Sequence, residues 1–407
     1  MFNFLMKRPY ARNIPLLYAY STLIKRVALP ILVVYYLSKG LSYTEIGIIA
    51  AAQAITTILL EVPGGIFADV HGRRISMVVS SFFSMATMTL LYFGNGFIEF
   101  FIASALYGVS FALDSGTRES LLFDSLHAEG RQTLFSKYYG RMLSFAYALN
   151  AFFLLTIPAL AEFNLRLPIL INVGFYALSL AVGLAIKEPK LTRHEHEHSY
   201  KKTLASAVGT LKGSRQAQFM VGFITITFAF LYVLMEFKQA FMKEVGLPLV
   251  YFGLVYFLMR VLFSAASALT HKIQTKLAGS TLVFIGIIAV TGGLLGLGFA
   301  GMLLGIAFIL WLALIEGVLR IFTVAELNSI IPRKARTTVL SIKSLFINIL
   351  QAGLAVLLGF LADAFGLRVM FVITAVIFTV LSLILVFVFR KEVMRLVIKK
   401  DEGHVLE

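Results

Sequence analysis

The sequence predicts an all-α integral membrane protein with twelve transmembrane helices in two six-helix halves and both termini cytoplasmic. Three observations carry this. The first is composition: 59% of the 407 residues are hydrophobic, 14% are charged, and mean hydropathy is +0.88. Soluble chains are usually about 45–50% apolar and about 25% charged. The second is the length of the apolar runs, since a hydrocarbon core about 30 Å thick needs about 20 helical residues to cross it. The third is that lysines and arginines gather in alternate connections, as they do when one set of loops stays in the cytoplasm.

The apolar runs place spans over 14–38, 44–68, 74–95, 98–122, 139–161 and 168–187. A second set follows over 218–241, 249–271, 280–299, 301–325, 338–361 and 367–390. With the N-terminus inside, the inner connections hold Lys7, Arg8 and Arg12, then Arg73 and Arg74, then Arg131, Lys137 and Arg141. Later inner segments hold Lys272 and Lys276, then Arg333, Lys334 and Arg336, and a tail with Arg390, Lys391 and Arg395. The outer loops hold only Lys39, Arg166, Lys243 and Arg368. The net charge of +15 is therefore read as membrane orientation and not as a nucleic-acid face.

Three segments result: 1–186 as one six-helix half, 187–217 as a cytoplasmic linker, and 218–407 as the second half with a basic tail. Pro189 stops the helix before the linker. Leu204, Val208 and Leu211 share a helical face, so 200–211 reads as a short amphipathic stretch at the inner surface. His194, His196 and His198 alternate with glutamates and could hold a metal, but a solvated mixed-charge linker is the reading adopted, with no metal site. The halves echo each other: Asp114 and Arg118 in the fourth span match Glu316 and Arg320 in the tenth, each acid-x-x-x-Arg.

Charges inside spans are expensive, about 2.5–3.5 kcal/mol each on insertion scales, and so mark functional candidates. Arg26 lies near the middle of the first span with Lys25 beside it, and Arg260 lies deep in the eighth. These are the substrate-binding candidates, weighed against structural ion pairs. Asp114 with Arg118, and Glu316 with Arg320, stand one turn apart and are expected to form ion pairs of an inner gate, with Glu119 joining the first. Glu236 in the seventh span is a candidate for both substrate contact and proton coupling, the latter role shared with Asp114. Nearby Lys238 is read as snorkelling to the boundary.

Between the second and third spans the chain reads Pro63-Gly64-Gly65-Ile66-Phe67-Ala68-Asp69-Val70-His71-Gly72-Arg73-Arg74. Gly65, Asp69, Gly72, Arg73 and Arg74 fill the pattern Gly-x-x-x-Asp-x-x-Gly-Arg-Arg/Lys, which resembles the signature loop of the major facilitator superfamily. Glu61, just ahead, is expected to join this loop's ion pairs. A degenerate echo runs from Gly359 to Gly366, and Arg118-Glu119-Ser120 through Asp124-Ser125 is similar to a stretch of small bacterial drug-efflux-like members. The Gly-x-x-x-Gly-Pro of proton antiporters has no counterpart in the fifth span, where Asn150 to Pro158 stands instead.

The resemblance implies the major facilitator fold and alternating access driven by a proton gradient, with no cofactor. The expected function is export of a small organic compound, anionic or zwitterionic, from a bacterial cytoplasmic membrane by a monomer among lipids. The alternatives are an uptake symporter for an anionic nutrient or siderophore, and a non-transporting receptor. No Walker lysine motif and no Gly-x-Ser-x-Gly elbow occurs, and the chain has no cysteine, so enzyme activity is not expected.

Overall fold

The computed structural model describes residues 10–189, 209, 211, 213–332 and 335–396. They form α-helices joined by short 3-10 turns. Ten helices among the described residues are long and apolar enough to cross a membrane. The chain divides into two compact units: Met1–Glu195 with Pro248–Phe257, and His196–Leu247 with Leu258–Glu407.

The first unit contains α1 (Asn13–Leu23), α2 (Leu32–Ser38), α3 (Tyr43–His71), α4 (Arg73–Phe93), α5 (Phe97–Asp114), α6 (Thr117–Ala128), α7 (Phe135–Thr156) and α8 (Leu167–Ala185). A capping box starts α3: the Glu45 amide donates to Ser42 Oγ and the Ser42 amide donates to Glu45 Oε2. Small residues decide how its neighbours pack. Ser104, Gly108 and Ala112 recur every four residues on α5 and face α3. A Cβ at Gly108 would lie 2.7 Å from the Gln53 carbonyl oxygen, and one at Gly64 would lie 3.0 Å from that of Ala112. Ser104 Oγ donates to the Ile49 carbonyl at 2.6 Å. In lipid, where burying apolar surface between helices gains little, such close approach and interhelical hydrogen bonds hold spans together. Gly108→Val forces α3 and α5 apart, and we expect it to destabilise by about 1–3 kcal/mol or more, read as a lowered thermal midpoint in detergent.

A polar seam joins α4 to α5. Ser76 Oγ donates to the Leu113 carbonyl at 2.7 Å, Ser80 Oγ to that of Ser110 at 2.9 Å, and Thr87 Oγ1 to that of Ala103 at 3.1 Å. Their spacing puts them on one helix face.

The second unit contains α9 (Arg215–Glu244), most of α10 (Phe252–Gln274), α11 (Gly279–Phe299), α12 (Met302–Ile330), α13 (Arg336–Val388) and α14 (Arg390–Met394). Its core uses the phenylalanines: Phe219, Phe223, Phe230, Phe237 and Phe241 of α9 are buried, and Phe230 and Phe241 meet Phe378 and Phe371 of α13 edge-on. Helix α13 has 53 residues, and at 1.5 Å each it would run about 80 Å, far beyond one hydrocarbon thickness. Gly366, at φ +82°, breaks it into two arms in a conformation only glycine takes readily.

Candidate functional site

The first span differs most from its sequence expectation. Instead of one helix over 14–38, the chain leaves α1 at Leu23, crosses a non-helical stretch at Lys25 and Arg26, and re-enters through a 3-10 turn (Leu29–Ile31) into α2. Pro30 supplies the reason: it has no amide proton, and in a continuous helix its ring would collide with the carbonyl four residues back, that of Arg26. Non-helical backbone is tolerated at membrane depth only where protein or a watery cavity satisfies it. Asn172 of α8, fully buried, does this from both sides. Its Oδ1 accepts from the Ala28 amide at 3.1 Å and its Nδ2 donates to the Lys25 carbonyl at 3.2 Å.

The break presents the two cations to aromatic rings. The Arg26 guanidinium lies 3.4 Å from the centroid of Tyr107 on α5, and its Nη2 donates to Gln53 Oε1 on α3 at 3.3 Å. The Tyr176 ring of α8 is buried beside Tyr107, Asn172 and Arg26. Lys25 Nζ sits 5.2 Å over Tyr147 of α7. A guanidinium held over an aromatic face keeps its charge, and its remaining N–H groups are donors suited to a carboxylate or phosphate.

Asp114 and Arg118 pair at 2.7 Å, but not along a continuous helix. Ser115 and Gly116 interrupt the fourth span between them, with Gly116 at φ +70°. Asp114 Oδ1, the oxygen outside that pair, is buried and has no hydrogen-bond partner among the described residues. Glu119 accepts a hydrogen bond from Tyr139 of α7, and its charge also reaches Arg118. Glu316 and Arg320, their counterparts on the unbroken α12, lie 3.8 Å apart.

The signature stretch is less of a loop than its sequence suggests. Helix α3 runs on through Pro63 to His71, and Gly72 alone, at φ +100°, turns the chain into α4. Arg73 lies 3.5 Å from Asp124 of α6 and 4.0 Å from Asp69, whose side chain is 75% exposed. Glu188, just past α8, caps α4: its two carboxylate oxygens accept the Arg73 and Arg74 amides at 3.0 and 2.7 Å. Arg74 Nη2 donates to the Leu184 carbonyl. Glu61 is exposed and makes no ion pair among the described residues, so the expected link to this network is corrected. Gly65 meets nothing within 4 Å where a Cβ would stand; its neighbour Gly64 is the one packed against α5.

In the second unit Lys238 overturns the snorkelling expectation. Its side chain is 3% exposed, with Nζ 3.5 Å from Met259 Sδ of α10. Glu316 of α12, Glu236 and Arg260 lie within electrostatic reach of Lys238. Arg260 is exposed and Glu236 half-buried. Residues 194–198, and all of 200–211 except 209 and 211, lie outside the described residues.

Sequence reasoning missed Gln53, Tyr107, Asn172 and Tyr176, and gave the acids Asp124 and Glu188 no partner. Neutral or aromatic residues in apolar spans carry no flag of their own. Pro30, four residues after Arg26, was the available signal for the break.

Comparison with known proteins agrees with this architecture. The family model of the Major Facilitator Superfamily matches residues 16–333. An uncharacterized MFS-type transporter, YxaM of Bacillus subtilis (strain 168), is 26% identical over 363 residues, covering 85% of this chain and 88% of that protein. Among solved structures, the nucleoside transporter NupG superposes with a TM-score of 0.77 at 12% identity, over 94% of this chain and 98% of that one. A bacterial homolog of the human lysosomal transporter Spinster, inward-facing and unoccupied, gives 0.74 at 14% identity, over 96% and 99%. Matches of this extent assign a family of membrane transporters and not of enzymes: the chain belongs to the Major Facilitator Superfamily.

Proposed function

We propose that this protein is a proton-coupled exporter of a small anionic or zwitterionic organic compound, working by alternating access in a bacterial cytoplasmic membrane. The observation that carries the substrate class is Arg26, held at the break of the first span on Tyr107 and Gln53. Lys25 beside it, and Arg260 and Lys238 in the second unit, add to a basic surplus at membrane depth. The twelve-crossing count follows if the broken first stretch counts as one span and the two arms of α13 as two. The basic connections favour both termini inside.

Asp114, with one carboxylate oxygen buried and unpartnered, is the proton-coupling candidate of the first unit. In the second unit Glu316, Lys238 and Glu236 form the corresponding cluster, with Arg320 able to take up or release Glu316. The stretch from Gly65 to Arg74, with Asp69, Gly72 and Arg73, and the Asp114–Arg118 pair serve the gate. Carboxylates that exchange an arginine for a proton are a physical means of tying substrate release to proton movement.

The test uses everted vesicles with an acid lumen and a panel of carboxylates and zwitterions. Export by exchange predicts that at least one compound raises lumen pH, and that Arg26→Ala and Arg260→Ala each lower the initial rate roughly tenfold, the scale of one lost charged contact. Accumulation of a panel compound in right-side-out vesicles, with no effect in everted ones, would reverse the direction to uptake. Unchanged rates in both variants would remove the anion-binding assignment.

A further inference from the structure

A second site lies away from the charges discussed so far, where α9 begins and α13 ends. Here a cavity of about 320 Å³ is lined by Arg215, Phe387, Val388, Arg390, Lys391 and Glu392. Arg215 is fixed in it by three contacts. Its Nε donates to Glu392 Oε1 at 3.0 Å, its Nη2 donates to the Val388 carbonyl at 3.3 Å, and its guanidinium lies 5.3 Å from the centroid of Phe389. Glu392 is itself buried, at 7% exposure, while the Arg215 side chain is 63% exposed and so stands at the mouth of the cavity. Because Glu392 neutralises Arg215, the net positive charge comes from Arg390 and Lys391, both exposed.

Two properties say what fits. The volume is at the lower end of small-ligand sites, suited to a headgroup and too small for a lipid's chains. The approach from the membrane side is apolar: Ile384, Phe387 and Val388 are 54%, 75% and 52% exposed at the end of the apolar run of α13. Ile384 and Phe387 are three apart and share a face. A soluble anion would gain nothing from that wall, whereas acyl chains would lie along it. We propose that this cavity binds the phosphodiester headgroup of an anionic phospholipid, its acyl chains covering Ile384 and Phe387. Arg390 and Lys391 bracket the phosphate, and the fixed Arg215–Glu392 pair offers remaining guanidinium donors and one carboxylate acceptor to headgroup hydroxyls. On the orientation proposed above, the site opens to the cytoplasmic leaflet, where anionic lipids concentrate. The binding itself depends neither on that orientation nor on the transport reading.

Native mass spectrometry and thermal unfolding of the purified full chain in neutral detergent test this, with phosphatidylglycerol and phosphatidylcholine of identical acyl chains as probes. Wild type is expected to retain phosphatidylglycerol selectively and to melt at higher temperature with it. Arg390→Ala/Lys391→Ala should weaken that binding by about tenfold or more, since each basic residue near a lipid surface contributes a factor of about five. Phosphatidylcholine binding should not change. The control Lys272→Ala/Lys276→Ala, at another basic edge, should keep the selectivity. Equal loss in the control would mean diffuse surface charge and would overturn the site. Protection by inorganic phosphate or glycerol phosphate equal to that by phosphatidylglycerol would overturn the lipid as occupant. Should the double variant misfold, Phe387→Gln, which removes only the acyl wall, must still lower phosphatidylglycerol affinity for the proposal to stand.

Discussion

An Asn172→Leu variant loses about 2–6 kcal/mol of stability, because two buried backbone groups lose their partners at about 1–3 kcal/mol each. The groups are the Ala28 amide and the Lys25 carbonyl, on either side of the break in the first span. Leucine is close to asparagine in size, so the loss reports hydrogen bonding more than volume. Asn172→Asp separates the two halves of the clasp. Aspartate still accepts from Ala28 but turns an oxygen toward the Lys25 carbonyl, and its stability should fall between the other two. Denaturation of the purified protein in mixed micelles measures all three. A leucine variant as stable as wild type would mean the break is satisfied by other means. Because Asn172 holds the segment carrying Arg26, both variants should also raise the substrate concentration needed for half-maximal transport in the vesicle assay.

Lys238→Met has the second large effect. Removing Lys238 leaves Glu316 with Arg320, 3.8 Å away, as its remaining partner, so the expected loss approaches but does not reach the about 3–5 kcal/mol of a fully broken buried pair. Lys238 is nearly inaccessible and lies within electrostatic reach of Glu316. The double variant Lys238→Met/Glu316→Gln should recover much of the loss, since both charges are then gone. Strict additivity of the two single effects in a double-mutant cycle would show that the residues are not energetically joined. Transport and stability should diverge here: the double variant folds well but no longer couples protons, if Glu316 belongs to the coupling cluster.

Much of the fold was legible because lipid imposes strong rules on sequence. Long apolar runs and charge-free helix centres follow from the cost of exposing polar groups to hydrocarbon, and composition alone reveals them. The ionisable candidates were found the same way, since Arg26, Asp114 and Glu316 stand out against an apolar background. Their surroundings were not legible. Lys238 reads as a boundary residue by position, but its depth depends on Met259 and Glu316, far away in sequence. Gly72 and Gly366 could be read as turns; that each is a single-residue joint between long helices could not. Glu188 looks like one more linker charge, and only the fold brings it to the start of α4.

The break in the first span bears on how the chain is made. Its two arms flank adjacent cations, and only the second arm, Leu29–Ser38, is apolar enough to register as a short membrane helix. With each central charge costing about 2.5–3.5 kcal/mol on insertion scales, this segment is a weak substrate for the translocon. Its clasp, Asn172, is synthesised 144 residues after Ala28. At about 5–20 residues per second the ribosome needs roughly 7–30 s to reach it. Until then the Ala28 amide and the Lys25 carbonyl lack this partner, so the last contacts of the break are made only once α8 has been synthesised.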